Sequence, residues 1–273
     1  MSVPVDAPPR RRRPVRRMPV ALVVPAALGL LFLVLPLVGL LVRTPWDSLP
    51  QRLAAPGVLT ALRLSVQSAT LATLLCLALG VPLAWLLARA RFPGRRVVRA
   101  LVTVPLVLPP VVGGVALLLV FGRRGLLGQW LDSTFGVTLP FTTTGVVLAE
   151  AFVAMPFLVI AVEGALRGAD SRYEEAAATL GAGRWTTFTQ VTLPLIAPGV
   201  AAGTVLCWAR ALGEFGATIT FAGNYPGRTQ TMPLAVYLAL ETDLEAAIVL
   251  SLVLLTVSVA ILAGLRDRWI GSP

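Results

Sequence analysis

The chain has 273 residues, of which 56% are hydrophobic and only 13% are charged, with a mean hydropathy of +0.83. Soluble globular domains average roughly 25% charged residues, so this composition excludes an ordinary soluble domain and predicts a polytopic membrane protein. The net charge of +10 comes from arginines at the ends of apolar runs, a distribution typical of membrane topology and not of a surface that binds nucleic acid.

The N-terminal region combines a basic segment with a long apolar run. Residues 1–18 are rich in proline and arginine, and we predict a disordered cytoplasmic tail. The apolar run 19–42 is about 24 residues long, and a membrane helix needs roughly 20. Because no clear small-residue cleavage site accompanies this run, we predict an additional, uncleaved N-terminal span and not a signal peptide.

The second and third spans flank the most basic loop of the chain. A polar loop over 43–57 leads into a second span predicted over 58–87, and the arginine-dense loop ARARFPGRRVVRA that follows is predicted to be cytoplasmic. A third span is predicted over 97–121. Pro109 and Pro110 in its middle remove two backbone donors, so the helix must kink or unwind there. Such a break at membrane depth is tolerated only where it packs against protein or lines a cavity.

The remaining spans carry acidic residues at membrane depth. A fourth span is predicted over 143–166, and Glu150 and Glu163 within it indicate a helix that faces the interior of a bundle, because acids in lipid are costly. Further spans are predicted over 196–221 and 246–265.

The total of about six spans is even, so both termini are predicted to lie on one side of the membrane. About 16 arginines then lie inside and about five outside, which predicts a cytoplasmic position for the termini and for the central loop.

The central loop, SRYEEAAATLGAGRWTTFTQVTLP (171–194), is the longest polar interruption in the second half of the chain. Ser171 followed by Glu174 predicts a capping box at the start of a short helix. Gly181 stands where a helix commonly ends in a left-handed residue. The loop is therefore predicted to form two short helices that meet at a glycine corner and end at a proline.

Two opposite charges stand near the middle of the fifth span. Arg210 and Glu214 are four residues apart and are predicted to share one helix face. Charges at that depth cost roughly 2.5–3.5 kcal/mol each on insertion scales. Two interpretations stay open: a path for an anion that Arg210 attracts, or an ion pair that fixes helix packing. Thr218 could offer a hydroxyl to an oxyanion, although threonines more often bond their own helix backbone.

The residues needed for catalysis or metal binding are missing from the sequence. The chain has no histidine, and Cys76 and Cys207 each lie inside an apolar run, so the usual catalytic pairs and zinc or haem sites have nothing to be built from. The phosphate-binding loop of ATPases requires a lysine, and the chain has none. Any ATP hydrolysis on which the chain depends must therefore come from a second polypeptide, and this chain by itself is predicted not to be an enzyme.

The central loop resembles the cytoplasmic EAA loop of the membrane subunits of binding-protein-dependent ABC importers. The runs VPLVLPPVVGG, ARALGEFGATITFAGN and PGRTQTMPLAVY further resemble the molybdate ABC importer permeases, with a match over roughly 60–265. Sulfate and thiosulfate permeases are close relatives with a similar loop. The residues that carry the EAA spacing are Glu175, Ala176, Ala177, Gly181, Val191 (isoleucine in the motif), Leu193 and Pro194.

This resemblance implies an all-α, type I ABC importer permease fold over 58–266 in a bacterial-type cytoplasmic membrane. Two copies of the chain would enclose a path, an extracytoplasmic binding protein would deliver the oxyanion, and a separate ATPase subunit would hold ATP and magnesium. The chain itself would bind no cofactor or metal and no nucleic acid. The residues proposed for coupling to the ATPase are Glu174, Glu175, Ala176, Ala177, Gly181, Arg184, Leu193 and Pro194. The candidates for the translocation path are Pro109, Pro110, Arg210, Glu214 and Thr218.

Two alternatives remain from the sequence. The first is the same machine for tungstate, sulfate or thiosulfate, since oxyanions of the same charge and shape differ mainly in size. The second is an ion-coupled secondary transporter in which Glu150, Glu163 and Glu214 carry protons. The EAA loop argues against this second alternative, and the inverted repeats typical of such transporters are not evident in the sequence.

Overall fold

The computed structural model describes residues 20–269, and every regular element of this part is a helix. A single π-helical turn, Phe188–Thr192, joins α9 to α10. The helices in chain order are α1 (Val20–Arg43), α2 (Leu49–Leu53), α3 (Pro56–Arg89), α4 (Arg95–Val107), α5 (Pro110–Phe121), α6 (Gly128–Phe135), α7 (Thr143–Gly168), α8 (Arg172–Thr179), α9 (Arg184–Thr187), α10 (Leu193–Leu212), α11 (Gly216–Ala222), α12 (Met232–Thr242) and α13 (Leu244–Trp269).

Among the described residues, five helical segments are long and apolar enough to cross a membrane, and the bent pair α4–α5 makes a sixth if it counts as one span. The predicted all-α membrane fold with about six spans is therefore confirmed. The predicted spans 58–87, 143–166 and 246–265 correspond to α3, α7 and α13. The predicted tail 1–18 lies outside the described residues. Helix α1 matches the predicted first span and belongs to a compact unit of its own.

The second unit, which begins at Thr44, is built around α3, α7 and α10. Small side chains allow these helices to approach closely, as is usual in membrane bundles. A Cβ atom added to Gly203 on α10 would lie 2.9 Å from the Cβ of Ala161 on α7. Both cysteines are fully buried in this core as free thiols, and the Sγ of Cys76 lies 3.5 Å from the Ala151 carbonyl oxygen.

The third predicted span is sharply broken, as Pro109 and Pro110 indicate. Helices α4 and α5 are bent by 118° at a break between Val107 and Pro110. Helix α5 then packs against α11, and Gly114 makes the close approach possible. A Cβ atom at Gly114 would lie only 2.6 Å from the Cβ of Thr220 and 2.9 Å from the Ala217 carbonyl oxygen. Helix α5 therefore packs against protein within one turn of the break, and irregular backbone at membrane depth is tolerated beside such packing.

The prediction of one continuous helix over 196–221 is wrong. Helix α10 ends at Leu212 and α11 begins at Gly216. Between them, the carboxylate of Glu214 leaves the helical path, and its Oε1 accepts a hydrogen bond from the Ala217 N–H at 2.8 Å. The glutamate thus satisfies an N–H at the start of α11 that an unbroken helix would pair internally. The predicted placement of Arg210 and Glu214 in one helix is wrong for the same reason.

A forked ion pair joins α2 to the start of α13. The guanidinium of Arg52 lies 2.7 Å from Asp243 Oδ2 and 2.6 Å from Glu245 Oε2. The hydrogen bond from Arg52 lowers the pKa of Asp243 below its ordinary value, and the N–H of Ala246 acts in the same direction. The pair therefore stabilises the fold above the unfolded-state pKa of about 3.9, and this contribution is lost as pH falls through the lower folded-state pKa.

We expect Arg52→Met to lower the thermal midpoint of the purified protein by about 1–3 °C at pH 7, because exposed ion pairs contribute little. The difference from wild type should shrink as the pH falls through the lowered pKa of Asp243. Thermal unfolding in detergent across this pH range measures both values. A difference that stays constant down to the lowest pH would contradict the assigned role of the carboxylate.

Candidate functional site

The EAA loop (171–194) forms two short helices around a glycine corner. Gly181 has φ +83°, so the predicted left-handed residue is confirmed. The N–H of Gly181 bonds the Ala178 carbonyl at 3.0 Å, and the N–H of Ala182 bonds the Ala177 carbonyl at 3.0 Å. This pair of bonds is the Schellman arrangement that ends α8 and turns the chain toward α9.

The predicted capping box at Ser171 is wrong. Ser171 has helical dihedral angles, and its hydroxyl donates to Glu175 Oε1 at 3.3 Å, not to the backbone. The neighbouring Asp170 takes the capping role, because its Oδ1 accepts the N–H of Arg172 at 3.0 Å. Glu174 points elsewhere and cannot reach back to the start of the helix.

An exposed apolar stripe runs along α8 and past its end. Tyr173, Ala176 and Leu180 are spaced to share one helix face, and all three are exposed, with Leu180 at 88%. Trp185 on α9 is 75% exposed. Apolar side chains this exposed on a polar loop are typical of a protein-binding surface. Arg184 and Glu175 are also exposed, so several of the predicted coupling residues lie at the surface.

Glu174, by contrast, faces the membrane helices. Its Oε1 lies 3.0 Å from Nη2 of Arg89 at the end of α3, and it accepts the hydroxyl of Thr192 at 3.0 Å. Thr192 is buried, and the side chains of Arg89 and Glu174 are 22% and 23% exposed. We call these three residues the Glu174 junction. A cavity of about 260 Å³ lies beside it and is also lined by Trp85.

Two further arginines hold the same end of the bundle. Both Arg99 and Arg167 contact Oε1 of Glu163, at 2.6 Å and 2.7 Å. Arg99 also donates to the Leu87 carbonyl at 3.3 Å, near the last turn of α3. Cationic side chains on the terminal carbonyls of a helix interact favourably with its dipole. The prediction that Glu163 faces the bundle is confirmed, since this residue is buried.

Glu150 lies deeper in the same helix and is 1% exposed, so its predicted inward orientation is also confirmed. Its Oε1 accepts the hydroxyl of Ser68 on α3 at 2.8 Å. This bond joins α3 to α7 inside the bundle.

The ion pair of Arg210 and Glu214 lies at the second helix break. Nη2 of Arg210 is 2.6 Å from Oε2 of Glu214. The glutamate side chain is only 1% exposed, whereas that of Arg210 is 26% exposed. The accessible half of the pair is therefore the cation, in a position to attract an anion at the break.

The other candidates for the translocation path differ in their exposure. Pro109 and Pro110 are exposed, and a Cβ atom on Gly216 would lie 2.9 Å from the Cβ of Pro110, so the two helix breaks touch. Thr218 is fully buried, and its hydroxyl has no hydrogen-bond partner among residues 20–269. Its neighbour Thr220 bonds the Gly216 carbonyl at 2.8 Å, as threonines in helices usually do.

Several partners in this region were not singled out from the sequence as contacts. Arg89 and Glu174 are 85 residues apart, and Ser68 and Glu150 are 82 residues apart. Neither separation belongs to a local pattern. The position of Arg89 in the arginine-dense segment at the end of a span was the available signal, and it indicates topology but not a partner.

Comparisons with known proteins show the family of the chain. Residues 80–272 match the family described as binding-protein-dependent transport system inner membrane component. The molybdenum transport system permease protein ModB of Mycobacterium tuberculosis is 50% identical over 244 residues, which are 89% of this chain and 92% of the relative. The sulfate transport system permease protein CysT of Escherichia coli is 38% identical over 236 residues, 85% of each chain.

A solved structure shares the fold. In the crystal structure of a bacterial ABC transporter involved in the import of the acidic polysaccharide alginate, one chain superposes with a TM-score of 0.75. The superposition covers 91% of this chain and 93% of that chain, at 18% sequence identity. At this identity the likeness shows the fold alone, and it confirms the predicted importer permease architecture.

Proposed function

The chain belongs to the binding-protein-dependent transport system inner membrane components, and from this premise we propose that it is the permease subunit that carries molybdate across the inner membrane. The choice of molybdate as substrate rests on the 50% identity to a molybdenum permease over 89% of the chain, compared with 38% identity to a sulfate permease. The accessible cation Arg210 at the helix breaks supports an anionic substrate. Tungstate and sulfate remain the competing substrates for the test.

The energy for transport comes from a separate ATPase subunit that binds ATP and magnesium. The exposed stripe of Tyr173, Ala176 and Leu180 is the surface that docks on this subunit, and Trp185 extends it beyond the glycine corner. Such a surface needs shape and apolar area and no reactive group. This requirement fits a sequence without histidine or lysine.

The docking surface and the path are connected by one continuous helical segment. The α9 helix, the π-turn and α10 run from Arg184 to Leu212. From Leu193 to Arg210, α10 rises by roughly 26 Å at about 1.5 Å per residue. A shift imposed on the EAA loop by the ATPase therefore displaces the base of the helix that holds Arg210, and this linkage supports alternating access.

The assembly and topology complete the proposal. Two copies of the chain enclose the path, and an extracytoplasmic oxyanion-binding protein delivers the substrate. Both termini and the EAA loop lie in the cytoplasm, as the arginine asymmetry predicts. The permease domain spans 58–266, and the N-terminal helix α1 is an additional span.

The test is uptake of labelled molybdate by cells that lack their own importer. The chain is supplied with its ATPase and binding protein, and unlabelled sulfate or tungstate competes. We expect uptake that survives a large excess of sulfate and disappears when the ATPase is omitted. Uptake abolished by sulfate would move the assignment to a sulfate permease. Uptake that persists without the ATPase would favour a secondary transporter.

A further inference from the structure

We propose that Glu174 is a positioning residue that joins the EAA loop to the membrane helices and transmits the movement of the loop to α3 and α10. It is not part of the surface that docks on the ATPase. This inference rests on the proposed function of the chain as an ATP-driven permease, and it separates two adjacent acids, Glu174 and Glu175, into different roles.

One carboxylate oxygen connects three elements. Oε1 of Glu174, on α8, accepts hydrogen bonds from the guanidinium of Arg89 at 3.0 Å and from the hydroxyl of Thr192 at 3.0 Å. Arg89 is the last residue of α3, and Thr192 is the last residue of the π-turn that leads into α10. Hydrogen bonds with an ionised partner are roughly twice as strong as neutral ones. A movement of α8 therefore pulls on both membrane helices through a single atom.

The arginine depends on this carboxylate. Nε of Arg89 is buried and has no hydrogen-bond partner among residues 20–269, so Glu174 provides the charge compensation seen in the described part of the chain. Removing one partner of a partly buried pair leaves the other charge uncompensated, and this costs more than the pair itself contributes. The junction is thus sensitive to loss of charge at Glu174.

The Glu174 junction lies beside a π-helical turn and a cavity. The chain between α9 and α10 forms a π-helical turn, a feature frequently found at functional sites because it interrupts the regular bonding of the helix. The cavity of about 260 Å³ beside the junction is lined by Glu174 and Thr192 and by Arg184 of the loop. The junction therefore has unfilled space beside it, on the side of the loop.

Glu175 provides the matched control. It has the same charge and lies one residue away, but it is exposed, and its contact with a side chain is the hydroxyl of Ser171 at 3.3 Å. Glu175 is the acidic residue of the EAA spacing, and it lies on the outer side of α8. A change at Glu175 should therefore affect docking, and a change at Glu174 should affect transmission.

The experiment uses the complete complex of permease, ATPase and binding protein in proteoliposomes. For Glu174→Gln we expect normal retention of the ATPase during purification and ATP hydrolysis within about twofold of wild type, but roughly tenfold less molybdate moved per ATP. For Glu175→Gln we expect weaker retention of the ATPase and an unchanged ratio. The charge exchange Arg89→Glu with Glu174→Arg should restore part of the ratio, because the ion pair with α3 is regained while Thr192 loses its acceptor.

Three outcomes would overturn the inference. The first is loss of the ATPase from Glu174→Gln to the same extent as from Glu175→Gln, and the second is a normal transport ratio in Glu174→Gln. The third is strict additivity of Arg89→Met and Glu174→Gln in the thermal midpoint of the purified chain. If the wild-type complex moves sulfate and not molybdate, the proposed substrate fails while the ratio is measured with sulfate. If it moves neither, the proposed transport function fails, and the inference that rests on it fails with it.

Discussion

Replacement of Arg210 by methionine is expected to reduce molybdate uptake by roughly tenfold or more, because the positive potential at the helix breaks is lost. The carboxylate of Glu214 is 1% exposed and would remain there without its cation. The accessible half of the pair, the guanidinium of Arg210, is then no longer present to attract the anion. Initial rates of labelled molybdate uptake, normalised to the amount of assembled complex, measure the effect.

A second variant separates attraction of the anion from helix packing. In Arg210→Met with Glu214→Gln, both charges are absent, and a buried pair replaced by neutral groups often costs little stability. If Arg210 attracts the substrate, this double variant remains defective. If the pair only fixes packing, uptake returns toward wild type. Arg63→Met serves as control, since Arg63 is an exposed arginine within the apolar helix α3.

Gly181→Val is expected to lower uptake by about tenfold while membrane insertion and ATP hydrolysis continue. The backbone at Gly181 has φ +83°, which a β-branched residue adopts only with strain. An added Cβ atom would meet no other atom within 4 Å, so the effect comes from the backbone and not from a clash. The corner between α8 and α9 must then change its angle. Parallel assays of uptake and ATP hydrolysis in proteoliposomes reveal the uncoupling.

The neighbouring glycine offers a control for this prediction. Gly183 also has open space around its Cβ position, but its φ is −66°, which valine tolerates. Gly183→Val should therefore keep most of the uptake, and Gly181→Asn should do so as well, because asparagine enters the left-handed region more readily. Full transport by Gly181→Val would exclude the corner from the coupling.

Sequence patterns predicted the features that depend on local chemistry. Gly181 indicated a left-handed corner because few other residues adopt that conformation cheaply, and Pro109 with Pro110 indicated a break because proline lacks the backbone donor. Glu163 indicated an inward face because lipid does not solvate an acid. In each case one residue type carries a physical constraint that holds wherever it stands.

The features that sequence analysis missed depend on distant partners or on competition between neighbours. The capping box at Ser171 failed because Asp170 caps the helix instead and Glu174 reaches Arg89 on another helix. The break at Gly213 was missed because the segment is apolar enough for a continuous span, whereas in the structure Glu214 lies outside both helices and accepts the Ala217 N–H. Helical spacing contains no information on such contacts.

The burial of both native thiols makes this chain suitable for site-specific labelling. Cys76 and Cys207 are 0% exposed, and buried structural thiols react slowly with electrophilic reagents. A cysteine introduced at the exposed Leu180 would therefore be modified first by a maleimide dye or spin label, with both native residues left in place. The separation between two labelled loops could then be followed through a cycle of ATP binding and hydrolysis.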